Sequence, residues 1–293
     1  MIRSLKIFLL TAVSICLFNS CSKDPAIYKT NNLNGNIISA FGHAGMGLGF
    51  KYPIDSYESI EPCLRIGSDG SEMDIQMTKD SVLIVYHDSQ LEEGTLCKGM
   101  INNLLWSEIW GCHRISPLSS KINLLSFNQL MDRLTSSGYD IHNYLFTFDC
   151  KLYSTLTDKN SFLNQYANAV LKVMDDFQLQ NNLLIESQDT TFLHILKNKR
   201  SGLKFFIYPD NFENGFTIGK AMNLFGITIH TKLISAEQIK LAHDNGLRVT
   251  LWGINSEKEN IDAILKSPDF IQTDKIIHLL KVFGNYKHNI NEI

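Results

Sequence analysis

The sequence predicts an α/β protein of the (β/α)8 TIM-barrel class, on three observations. From residue 36 onward, short apolar and β-branched runs alternate with segments of helical period, and eight such pairs can be counted. Several runs end in a histidine or a carboxylate, at the strand end where barrels of this class carry their chemistry. The chain has 293 residues, and eight units in about 250 residues suit one closed barrel better than an open doubly wound sheet.

The candidate strands are residues 37–42, 70–77, 145–151, 183–187, 204–208, 226–230, 248–252 and 270–273. Helices are clearest at 55–66, 160–177, 190–199 and 236–245, the last closed by Gly246 as a C-cap. The rhythm breaks once, between the second strand and a helix near 127–134. An insertion of about residues 80–125 holds an extra strand at 82–86 and the segment between Cys97 and Cys112; a loop of that length in a compact domain is usually functional. The barrel domain is taken as residues 36–293, without an internal repeat or a second domain.

The amino terminus differs from the rest. Arg3 and Lys6 precede an apolar run over 7–18, followed by Asn19, Ser20 and Cys21. That is the layout of a bacterial lipoprotein signal, with residues 1–20 removed and Cys21 lipidated. The run is short for a span of a bilayer roughly 30 Å thick. Residues 21–35, with Asn31, Asn32 and Asn34, read as a tether. The expectation is an exported protein, anchored to a bacterial membrane on its periplasmic or cell-surface side. In such a compartment disulfides persist, and Cys97 and Cys112 are the candidate pair. Cys63 and Cys150 read as core. The formal charge of −3, without a basic cluster, offers no sign of a nucleic-acid partner, and none is expected.

The chemistry gathers at strand ends. The first strand runs into His43-Ala44-Gly45, where glycine allows close backbone approach. In the second, Glu72, Asp74 and Gln76 share one face because side chains alternate. Two carboxylates on one face of an apolar barrel call for a positive charge between them, and hard oxygen ligands favour one divalent cation, Mg2+ or Ca2+. Asp149, two residues before Lys151, can complete the metal site, and Lys151 can meet a phosphate oxygen. His87-Asp88 follows the extra strand, so a second histidine stands at a strand end. Glu186 and His230 end strands as well and are weaker candidates for the mouth.

Together these residues resemble the glycerophosphodiester phosphodiesterase family over almost the whole mature chain. Its His-Arg-Gly resembles His43-Ala44-Gly45. Its Pro-Glu-Asn-Thr helix start is similar to Tyr57-Glu58-Ser59-Ile60, and its Glu-x-Asp followed by Thr-Lys-Asp-Gly resembles Glu72-Met73-Asp74 followed by Thr78-Lys79-Asp80-Ser81. Its His-Asp resembles His87-Asp88, and its later Glu-x-Lys resembles Asp149-Cys150-Lys151. Leu251-Trp252-Gly253 and Ile271-Gln272-Thr273-Asp274 resemble its last two strands, and the segment after His87 resembles a small insertion the family carries.

The resemblance implies a phosphoric diester hydrolase acting on glycerophosphodiesters or related headgroups. Glu72, Asp74 and Asp149 would be metal ligands, His43 and His87 the acid/base pair, Lys151 and Glu58 the polar end of the substrate site, and Trp252 a wall for the alcohol. The nucleophile would be either a neighbouring substrate hydroxyl or water. Ala44 departs from the family by removing a bidentate phosphate ligand, for which Lys51 is a candidate replacement; Asp149 stands for glutamate. The alternatives are a surface lipoprotein that binds phosphorylated polyols or glycans without turnover, and a phosphodiesterase acting on lysophospholipids, sphingolipids or an envelope polymer.

Overall fold

The structure, a computed structural model, describes residues 28, 30–116 and 121–287. The signal and Cys21 lie outside the described residues. The strands are β1 (Ser39–Gly42), β2 (Gly70–Met77), β3 (Leu83–Val85), β4 (Leu145–Cys150), β5 (Leu183–Ser187), β6 (Lys204–Ile207), β7 (Gly226–His230), β8 (Arg248–Ile254) and β9 (Phe270–Thr273). The helices are α1 (Tyr57–Arg65), α2 (Trp106–Ile109), α3 (Phe127–Ser136), α4 (Lys159–Asp176), α5 (Thr190–Lys199), α6 (Phe212–Ala221), α7 (Ala236–Asp244), α8 (Glu257–Leu265) and α9 (Ile276–Phe283). Every strand but β3 runs parallel, in the order β1-β2-β4-β5-β6-β7-β8-β9, and β9 pairs back to β1. The eight-stranded barrel predicted from the sequence is therefore closed.

Why these residues make a barrel is visible in β2, which is buried along its whole length. Met73, Ile75 and Met77 pack outward into the core shared with the helices, while Glu72, Asp74 and Gln76 point to the interior. The lower interior is filled by Phe41, Leu184 and Phe206, with Phe270 and Phe225 against them. The ring centroids of Phe41 and Phe206 lie 5.6 and 5.8 Å from that of Phe270. Burying each such ring contributes roughly 1.5–3 kcal/mol, and the plug leaves the polar residues only the upper layer. Helix starts are set by side-chain caps: Ser56, Ser126, Asp158, Asp189, Asn211, Ser235 and Ser256 each accept a backbone N–H of the first turn.

Strand β1 begins at Ser39, two residues later than expected, because Ile37 is 69% exposed. Strand β8 runs past the expected end at 252 to Ile254, through a register shift at Gly253, whose φ is 74°. Within residues 30–35, expected to belong to the tether, Asn31, Leu33, Asn34 and Gly35 are exposed, but the segment is fastened to the barrel at Asn32. Asn32 is buried and donates to Asp269 Oδ1 at 2.7 Å. Asp269 also accepts from Arg248 (2.7 Å), from the Val249 N–H (2.9 Å) and pairs with His243 (2.7 Å), at the amino ends of β8 and β9.

The insertion folds on its own small core of Ile84, Tyr86, Leu91, Ile101, Ile109, Cys112 and Leu124. Cys97 and Cys112 are joined by a disulfide, their Cα atoms 6.0 Å apart. Cys63 and Cys150 are buried free thiols. Among the described residues no helix is long and apolar enough to cross a membrane.

Candidate active site

Parallel register decides which carboxylates meet. Asp74 of β2 lies opposite Asp149 of β4, and Asp149 opposite Glu186 of β5. Glu72, Asp74 and Asp149 each offer an oxygen within 4.8 Å of the others. They line a cavity of about 280 Å³ together with His43, His87 and Lys151. Trp252, Tyr208 and Glu186 complete much of its wall.

The charges are unevenly balanced. Lys151 Nζ sits 3.0 Å from Asp74 Oδ1 and 2.8 Å from Asp149 Oδ2. Burial alone would push the Lys151 ammonium down, but Asp74 and Asp149 hold it above its ordinary value. Burial works to raise the Asp74 carboxyl, and Lys151, His87 and His43 override it and keep it low. Glu72 is different: burial, then Asp74 and Asp149, drive it well above the usual carboxylate range, and the opposing pull of Lys151 does not offset them. Asp149 is likewise raised by burial. Glu186 is pushed up to about 8 by burial and by Asp149. One ammonium does not satisfy this set.

The donor set fits a hard divalent cation. All the atoms are carboxylate oxygens, and Asp74 Oδ2 is buried with no hydrogen-bond partner. Glu72 Oε2 is already oriented, accepting the Ala44 N–H at 2.8 Å.

The two histidines are held by carboxylates. Asp274 Oδ1 accepts from His43 Nδ1 at 2.8 Å, which leaves Nε2 as the ring's free nitrogen. Burial disfavours the imidazolium, but the hydrogen bond and charge of Asp274 outweigh it, and the His43 pKa is raised. The same Asp274 oxygen accepts the Leu48 N–H at 2.9 Å. At Gly47, φ is 89° and an added Cβ would lie 2.4 Å from the Asp274 Cα, so only glycine lets this loop close over the end of β9. His87 Nδ1 lies 2.8 Å from Asp88 Oδ1. The Gln76 amide donates to the carbonyls of Tyr86 and Asp88, 2.8 Å each, bracketing His87. The third residue of the β2 face thus fixes the second histidine.

Residues 46–280 match the model of the "Glycerophosphoryl diester phosphodiesterase family". The chain belongs to that family. It is a phosphodiesterase, similar to a glycerophosphodiester phosphodiesterase of Bacillus altitudinis, 24% identical over 239 residues that cover 77% of this chain and 91% of the relative. Solved structures share its fold. One is a glycerophosphodiester phosphodiesterase from Parabacteroides distasonis (TM-score 0.71, 19% identity, 87% of this chain and 98% of that one). Another is an Oleispira antarctica phosphodiesterase in complex with the product sn-glycerol-3-phosphate (TM-score 0.71, 14% identity, 84% and 96%).

Within this phosphodiesterase the structure brings His43, His87, Glu72, Asp74, Asp149, Lys151 and Trp252 to one cavity. Glu58 is not among them. It lies in the first turn of α1 and pairs with Arg133 at 2.8 Å, because the helix begins after Ser56 and turns position 58 outward to α3. Lys51 is exposed, its Nζ 5.2 Å from the centroid of the Tyr52 ring, and does not line the cavity. Ala44 is wholly buried. His230 packs edge-on to Trp252, with centroids 4.7 Å apart, and accepts the Lys232 N–H, so it backs the wall and does not line it.

The residues missed in the sequence are Asp274, Tyr208 and Asp55. Asp55 is buried, and its Oδ1 accepts the Asp74 N–H at 3.1 Å. Burial, with the nearby charges of Asp74 and Glu72, raises its carboxyl well above the ordinary range. Asp274 had a visible signal, a carboxylate directly after strand residues 270–273.

Proposed function

We propose that this phosphodiesterase cleaves glycerophosphodiesters, or closely related headgroup diesters, to an alcohol and glycerol phosphate, with Mg2+ or Ca2+ held by Glu72, Asp74 and Asp149. The observation that carries the reading is one cavity lined by three converging carboxylates, a lysine, and two histidines each backed by its own aspartate. The Oleispira antarctica relative, whose structure holds sn-glycerol-3-phosphate, supports the choice of product.

A cation bound there supplies positive charge against the phosphoryl oxygens of the diester. Lys151 binds a phosphoryl oxygen from the other side, released from part of its pairing with Asp74 and Asp149. One histidine takes the proton of the attacking nucleophile, either water or a neighbouring substrate hydroxyl whose cyclic phosphate water then opens to glycerol phosphate, and the other gives a proton to the leaving alkoxide. His43, with Asp274 favouring its charged form, suits the donor; His87 is then the base. Trp252 and Tyr208, their centroids 5.2 Å apart, form an apolar wall for the alcohol. The buried Ala44 leaves the phosphate to Lys151 and the cation. The amino-terminal reading belongs to the same proposal: Arg3, Lys6, the apolar run and Cys21 support an exported protein anchored through a lipid on Cys21.

The soluble protein from residue 22 is to be incubated with glycerophosphocholine, with EDTA and then with Mg2+ or Ca2+. Release of glycerol phosphate is expected only with a cation, and His43→Ala and His87→Ala should each lower kcat by about 10²- to 10⁴-fold. Full turnover in both variants would overturn the acid/base assignment. For the anchor, mass spectrometry of the full-length protein purified from bacterial membranes should find acyl chains on Cys21; an unmodified Cys21 on an uncleaved chain refutes it.

A further inference from the structure

The insertion does more than sit beside the mouth. Its residue Arg114 is 6% exposed and does not line the cavity. Its Nη1 donates to the Asp55 carbonyl and to the Val85 carbonyl, 3.3 Å each. Its guanidinium carbon stands 5.1 Å from the centroid of the Tyr86 ring. Those two carbonyls belong to the two segments that control the site. The Asp55 carboxylate accepts the N–H of Asp74, and the Tyr86 N–H donates to the Asp74 carbonyl at 2.9 Å. Val85 is two residues before His87. One buried cation therefore ties together the backbone on both sides of Asp74 and the segment bearing His87.

Arg114 is itself held from its own side. Its N–H donates to the Ile122 carbonyl at 2.8 Å, and it bridges to Thr95. The disulfide Cys97–Cys112 closes the loop two residues before it. Burial holds the Arg114 guanidinium below its ordinary value, and the charges of Asp55, Asp88 and Asp74 offset that cost only in part. A buried arginine with so few neutral alternatives is costly unless its geometry is kept, and the staple keeps it.

We propose that Arg114, set by the Cys97–Cys112 staple, is a positioning residue: it holds Asp74 in the geometry of the cation site and His87 at its edge. The inference rests on the reading of Glu72, Asp74 and Asp149 as that site. Residues that orient metal ligands from behind commonly change metal affinity or activity by 10- to 100-fold when lost.

The test is calorimetric titration of cation-free protein with Ca2+ and with Mg2+, together with kcat and KM for glycerophosphocholine. The proteins are wild type, Arg114→Gln and the double variant Cys97→Ser/Cys112→Ser, with Arg133→Gln as a control on the outer face. Arg114→Gln is expected to weaken cation binding and lower kcat by about 10- to 100-fold, with little change in KM. The double serine variant should move both in the same direction by less. A merely structural arginine would lower the melting temperature and leave the cation affinity of the folded protein unchanged. Should Arg114→Gln not fold, the double serine variant decides, since it keeps Arg114 and removes only the staple. Wild-type cation affinity and kcat in a folded variant overturn the proposal. A wild type that takes up no cation would refute the underlying site reading, and the strut would then stand or fall on kcat alone.

Discussion

Glu186 offers a sharp test of how this barrel tolerates its acids. Its carboxyl is 1% exposed, lies across from Asp149, and is held by the Gln272 amide at 2.9 Å. Burial and Asp149 lift it from 4.5 to about 8. The folded protein therefore keeps a proton on Glu186 at neutral pH that the unfolded chain gives up. Native stability is highest below the unfolded value and declines as pH rises toward the folded one, at about 1.4 kcal/mol per unit. Between pH 4.5 and 7 that is a loss of roughly 3 kcal/mol, with about 1 kcal/mol more by pH 9. Glu186→Gln preserves the shape and the bond to Gln272 but cannot ionise, so its stability should lack this decline. Urea unfolding at pH 5, 7 and 9 in EDTA, for both proteins, isolates the difference because every other group is common to them. Parallel stability profiles would refute the argument. They would mean that Glu186 is hydrated or otherwise compensated in the folded state.

Three further outcomes are expected. Lys151→Met removes the ammonium that competes for Asp74 and Asp149, so divalent-cation binding without diester should tighten by at least about tenfold, while kcat falls roughly 10²- to 10³-fold; calorimetry and turnover measure the two. Asp269→Ala leaves His243 and Arg248 without their carboxylate and should cost about 3–5 kcal/mol in denaturant unfolding with kcat unchanged, because the network lies at the amino ends of the strands. Ala44→Arg, which would restore a cation at the family position, should destabilise by roughly 1–3 kcal/mol without lowering KM, since Ala44 is fully buried with φ at 47°.

The barrel was legible because both strand faces are constrained. Runs such as Met73, Ile75 and Met77 alternate with Glu72, Asp74 and Gln76, and that pattern has no stable place on an open edge. Strand-end residues were legible for the same reason, since His43, Asp149 and Lys151 are polar where the neighbouring chain is apolar. What escaped was chemistry carried by turns. Asp55, just before the Ser56 cap, reads in sequence as helix-start punctuation, whereas Glu58 was a site candidate only through the resemblance of Tyr57-Glu58-Ser59-Ile60 to the family's helix start. Arg114 escaped because the insertion has no periodicity, and a basic residue in a loop reads as solvated until the disulfide and the Tyr86 ring are seen around it. The burial of Asn32 depends on Asp269, 237 residues away, a pairing that no local pattern encodes.

That packing of Asn32 has a directional consequence. The backbone N–H of Tyr28 bonds to the carbonyl of Val282 at the end of α9 and Asn32 to Asp269 at the start of β9, so the chain arrives at the floor of the barrel, below the aromatic plug. His43, Glu72 and Lys151 open at the opposite end. Tyr28 and Asn32 therefore stand on the face of the barrel opposite the mouth, so that a change in how this entering segment packs reaches the barrel floor without touching the opening through which a diester must pass.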